Sequence, residues 1–142
     1  MKLTKQQKDN LAKLSKYLSK LPKKYNRFNM STYMTKQTPN DNVYLPINAK
    51  EQITKCGTIA CALGHGPSAG IKPKDEMSWQ EYSALFTKEN SPEEEWCFSP
   101  WWRYVDNTPH GAAERINYLL NKGLPKDWKD QMYKKVPLSY KE

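Results

Sequence analysis

Arginine, histidine, cysteine and glycine are all scarce in this lysine-rich chain: three, two, three and six residues of 142. Three cysteines with no Cys-x2-Cys pair do not make a disulfide framework, and buried free thiols are the expectation. No apolar run approaches the roughly 18 residues that a membrane span requires. The opening "MKLTKQQKDN" has charges but no apolar run behind them, so no signal peptide is expected. A soluble, cytoplasmic protein without a membrane partner follows as the expectation. There is no Ser-His-Asp order, no phosphate-transfer motif, no internal repeat and no low-complexity segment. The length suits a single domain, 1–142, with a basic amphipathic helix over 1–24, a core over 25–125 and a C-terminal helix and tail over 126–142.

The net charge of +8 is confined to one end. Residues 1–27 hold nine basic side chains against a single acid, Asp9, and the rest of the chain is balanced at 14 of each sign. Lys13, Lys16, Lys20, Lys23, Lys24 and Arg27 therefore form a candidate footprint for nucleic acid or an acidic host protein. A solvated helix face accounts for them equally well, because lysine is the weaker phosphate-recognition residue.

Periodicity outlines a mainly α protein of about five short helices with at most a small strand pair. Leu11, Leu14, Leu18 and Leu21 fall on one helical face behind a Thr4 cap, and Pro22 ends that helix. Phe28, Met30 and Tyr33 are candidate anchors. "TPNDN" reads as a turn, and "VYLPI" as a strand that Pro46 confines to a sheet edge. "SWQE" and "SPEE" predict capping boxes at Ser78/Glu81 and Ser91/Glu94, the first opening a helix through Phe86. Glu93, Glu94 and Glu95 suit the positive end of the second helix and need no metal to explain them. "TPHGAAERINYLLNKG" predicts a helix capped by Thr108 and closed by Gly123, with Ala112, Ala113, Ile116, Leu119 and Leu120 inward. A last helix is expected over Asp127–Lys135, with Trp128 and Met132 inward.

The stretch "CGTIACALGHG" departs from this hydrophilic background. Without charges, it reads as a buried helix of about two turns. Cys61 and His65, four apart, would share a helix face, whereas Cys56 would turn away from Cys61. A zinc site completed by Cys97 or His110 thus fits poorly, and a Cys56 nucleophile with a His65 or His110 base rests on few residues. The stronger reading uses backbone. Amides of Cys56, Gly57, Thr58 and Ile59 at a helix start would cradle an anion. "NTPHG" supplies a second helix start with Thr108 and His110. Arg103 and Arg115, the two arginines outside the basic end, flank it, and Trp101 and Trp102 offer stacking faces.

Together these residues suggest non-catalytic binding of an anionic small molecule, a nucleotide above all, with no metal or cofactor. The alternatives are a nucleic-acid or host-protein module led by the basic helix, and a zinc-binding or cysteine-dependent enzyme. Self-association as a homo-oligomer stays open.

The segments "FNM", "CGTIACALGHG" and "TPHGAAERINYLL" resemble those of small uncharacterised bacteriophage and bacterial proteins. That family's pattern is Phe-x-Met, Cys-Gly-Thr-x-x-Cys-x-x-Gly and Thr-Pro-x-x-Ala-Ala-x-Arg-Ile-x-x-Leu-Leu. The resemblance spans roughly residues 25–125. It implies a phage-like source, action in the host cytoplasm, and a role in host takeover or anti-defence, such as sequestering a defence signal. It implies no particular chemistry.

Overall fold

The computed structural model describes residues 3–23, 25–37, 42–47 and 58–137. The fold is mainly α, with five α-helices among those residues: α1 (Lys5–Ser19), α2 (Trp79–Ser83), α3 (Pro92–Phe98), α4 (Pro109–Lys122) and α5 (Trp128–Tyr133). Short 3-10 turns at Leu63–His65 and Pro100–Tyr104 link them. Among the described residues, no helix is long and apolar enough to cross a membrane.

Helix α1 starts where Thr4 and Gln7 exchange side-chain and backbone hydrogen bonds, both 3.0 Å. Its leucine stripe is real: Leu11, Leu14 and Leu18 are fully buried. Each such side chain stabilises by roughly 1.5–3 kcal/mol. The stripe packs on α4, whose small Ala112 and Ala113 let the helices approach closely. Ser15 Oγ donates across the seam to Asn117 Oδ1 at 2.6 Å. Asn10 Nδ2 donates to the Leu85 carbonyl at 2.8 Å, tying α1 to the segment after α2. The basic helix is thus part of the core and not a detachable arm. Its Lys13 and Lys16, with Lys20 and Lys23 beyond its end, face water.

The expected strand pair is one strand larger. β1 (Met34–Gln37) lies between β2 (Asn42–Tyr44) and β3 (Thr58–Ala60), antiparallel to both. Thr35 sits opposite Tyr44 on one side and Ile59 on the other. β2 occupies an edge and ends before Pro46, as a residue without an N–H requires. Phe28 and Met30 are buried anchors, but Tyr33 is 46% exposed and stacks on Trp79 at 5.8 Å. Most of the "TPNDN" turn lies outside the described residues.

The two-turn helix expected within "CGTIACALGHG" does not form. Thr58 and Ile59 belong to β3 because β1 offers a pairing edge, and β-branched residues suit a strand. After Ala60 the chain makes only the turn Leu63–His65. Gly64 is required there: a Cβ at this position would collide with the Tyr33 carbonyl oxygen and the Ala60 side chain.

Ser78 and Glu81 form the expected capping box. α2 is shorter than predicted, and single-turn hydrogen bonds carry the chain on through Phe86. The second box is only half made. Ser91 Oγ accepts from Glu94 N–H, but the Glu94 carboxylate turns to Ser83 Oγ at 3.0 Å and to the Asn90 N–H. α4 begins at its Thr108 cap and ends at Gly123, whose φ of 79° is the left-handed region glycine favours. α5 is shorter than expected and buries Met132.

Candidate ligand pocket

Two of the predicted site residues meet at a pocket of about 300 Å³, and the other described ones do not line it. Arg115 on α4 and Trp102 in the 3-10 turn line it, with Trp96 of α3, Asp106, and Gly111, Glu114 and Tyr118 of α4. The spacing on α4 explains the wall: 111, 115 and 118 recur at four and three residues, one face of a helix. Trp96 and Trp102 meet edge to face at 5.1 Å, and Tyr118 leans on Trp96 at 6.2 Å. Each indole N–H is anchored to backbone, Trp96 to the Arg115 carbonyl at 2.7 Å and Trp102 to the Glu95 carbonyl at 3.0 Å. The rings are therefore held in place by packing and by directed bonds.

Arg115 is the unusual group. It is 7% exposed, and its guanidinium carbon stands 4.5 Å over the Trp102 ring. Nη1 donates a long bond, 3.4 Å, to the Asp106 carbonyl oxygen. Nε and Nη2, the side-on fork that matches two carboxylate or phosphate oxygens, have no partner among the described residues. Among the described residues no carboxylate comes within 4.0 Å of the guanidinium; the one ion pair is the exposed Lys5–Asp9. Burial pushes the Arg115 pKa down to about 10, with Asp106 pulling the other way. A buried guanidinium satisfied by so little is costly unless something compensates it.

Asp106 is held firmly. Oδ1 accepts from Thr108 Oγ1 at 2.5 Å, and the carboxylate lies so close to Gly111 that a Cβ there would strike it. Thr108 Oγ1 also accepts from the Gly111 N–H at 3.0 Å. The start of α4 is therefore closed by its own aspartate and threonine and is not an open anion cradle.

The other predicted residues are dispersed. Cys56 and Gly57 lie outside the described residues. Thr58 and Ile59 are strand residues, and the next amides are already engaged: Ala60 N–H donates to the Arg27 carbonyl at 3.0 Å and Cys61 N–H to Thr32 at 2.8 Å. Thr58 and Ile59 therefore do not start a helix, and the described residues do not bring two open helix starts together. Trp101 stacks on Tyr104 at 6.2 Å, away from the pocket. Arg103 is exposed and lies over Tyr104, 4.7 Å from its centroid. His110 is bonded to the Leu21 carbonyl at 2.6 Å, which ties α4 to the end of α1. Of the basic set, Lys24 lies outside the described residues and Arg27 is half-buried.

Cys61 and His65 also part company. Cys61 lines a small cleft of about 140 Å³ with Met30, Thr32 and Phe98. His65 is buried among the rings of Tyr17, Tyr25 and Phe28. Among the described residues no three His, Cys, Asp or Glu side chains gather to hold a metal ion. Burial pushes the Cys61 thiol up to about 11 and the Cys97 thiol up to about 12, so neither supplies thiolate at neutral pH.

Trp96, Asp106, Glu114 and Tyr118 were not singled out from the sequence as site residues. Helical spacing from Arg115 finds Tyr118. Nothing in the sequence aligns Trp96 with Arg115, because it comes from another element. No protein-family model, curated protein or solved structure matches the chain.

Proposed function

We propose that the protein binds a small organic anion, without transforming it, in the pocket between α3, α4 and the segment preceding α4. The observation that carries this reading is the buried Arg115 guanidinium, whose Nε and Nη2 have no partner among the described residues, at the wall of a pocket shared with Trp96, Trp102 and Tyr118. An anion in the pocket would compensate the guanidinium charge at short range through charge-assisted hydrogen bonds. The aromatic walls would hold a flat or apolar body. The volume, about 300 Å³, suits a ligand at the small end of the usual range. A binding role is favoured over catalysis because neither histidine lines this pocket and the two described thiols are held protonated. For a phage protein, holding a small host signal is a role that such a pocket would serve.

Thermal-shift screening of the full chain against nucleoside monophosphates, aromatic carboxylates and amino acids tests the reading. A state-specific ligand must raise the melting temperature. A shift that disappears in Arg115→Met supports the proposal. A folded sample that none of these compounds stabilises overturns it.

A further inference from the structure

Resting on that anion-binding reading, we infer that the ligand is a free aromatic α-amino acid bound as its zwitterion. The charge balance of the pocket carries this step. Its lining holds one cation, Arg115, and two carboxylates, Asp106 and Glu114. A phosphate monoester would bring nearly two further negative charges beside both carboxylates, and like charges in a partly desolvated site repel. A carboxylate alone would satisfy Arg115 and leave the two acids facing the ligand. An α-amino acid has the matching pattern: its carboxylate meets the guanidinium, and its ammonium, one carbon away, meets the acids.

The surroundings agree with this polarity. Asp106 is fixed by Thr108 and by its contact with Gly111, and its main-chain oxygen receives the Arg115 Nη1 bond. Cationic and anionic subsites are therefore adjacent on one short stretch of chain. Glu114, next to Arg115 in sequence, is exposed and adds negative charge at the mouth. Trp96, Trp102 and Tyr118 supply the faces on which an aromatic side chain stacks, in offset or edge-to-face arrangement. About 300 Å³ accommodates one such amino acid.

Calorimetric titration of the full chain with four probes decides the matter: tryptophan, indole-3-propionate (the same ring and carboxylate without the ammonium), tryptamine (no carboxylate) and guanosine monophosphate. Tryptophan should bind at least tenfold tighter than any other. Glu114→Gln, at an exposed position, should narrow the gap between tryptophan and indole-3-propionate several-fold without weakening indole-3-propionate. Asp106→Asn should act in the same direction. Equal or tighter binding of indole-3-propionate overturns the zwitterion and leaves the anion reading standing. So does binding of guanosine monophosphate alone. Tightest binding by tryptamine, or binding by none of the four, overturns both.

Discussion

The guanidinium of Arg115 lies 4.5 Å over the ring of Trp102, and no carboxylate among the described residues comes within 4.0 Å of it, although Asp106 and Glu114 act on it from farther away. The ring's negative face compensates part of the charge, by about 0.5–2 kcal/mol. The remainder is an electrostatic cost the fold carries. A cost retained at a pocket wall is one that the proposed anion would offset.

Replacing Arg115 by methionine removes that charge while keeping most of the side-chain volume. Removing poorly compensated buried charge is neutral or stabilising, by up to about 2 kcal/mol. Urea unfolding of Arg115→Met should therefore show an unchanged or raised midpoint, together with loss of ligand-induced stabilisation. A fall of more than 2 kcal/mol would show that the fork is satisfied within the protein.

His65 makes stability depend on pH. Its Nε2–H donates to the Arg27 carbonyl at 3.0 Å, Nδ1 has no hydrogen-bond partner among the described residues, and aromatic rings surround it. Burial lowers its pKa from 6.5 to about 4. Above pH 6.5 the imidazole is neutral in both states and carries no penalty. Between 6.5 and 4 the unfolded chain takes up a proton that the folded chain does not, so stability falls as pH falls. The loss reaches about 3 kcal/mol near pH 4. Urea midpoints between pH 7 and pH 4 measure it, and His65→Phe should flatten this part of the profile.

Gly64→Ala tests the turn that replaces the expected helix. The added Cβ would meet the Tyr33 carbonyl and the Ala60 side chain, and backbone cannot swing aside as a flexible side chain can. Destabilisation of about 3 kcal/mol or more is expected. A melting temperature within a degree of the parent would contradict the close approach.

The thiols give a chemical test of burial. In native protein at pH 8, a disulfide reagent should leave Cys61 and Cys97 unmodified long after exposed thiols have reacted, and denaturant should release both. Mass spectrometry of labelled peptides identifies the sites. Rapid native labelling of Cys97 would mean that the α3–α4 seam opens readily.

The sequence by itself determined the local pieces of this protein. The α1 leucine stripe, the Thr4, Ser78, Ser91 and Thr108 caps and the Gly123 stop were legible because helical periodicity and capping act within a few residues of chain. The concentration of positive charge on one helix was legible for the same reason. Trp102 and Arg115 were also named from sequence, though for helix starts that do not pair.

Only the tertiary structure decided the rest. Whether Thr58 and Ile59 extend or coil depended on a strand some twenty residues earlier offering its edge. Whether Gly64 served a helix or a close contact depended on where the Tyr33 carbonyl lay. The pocket draws Trp96, Trp102, Asp106 and Arg115 from α3, a 3-10 turn, a loop and α4. Their meeting is set by how α3 packs on α4, an energy summed over many non-local contacts that no short stretch of sequence contains. Arg115 became informative for the same reason: an unpaired charge is defined by what fails to reach it in three dimensions.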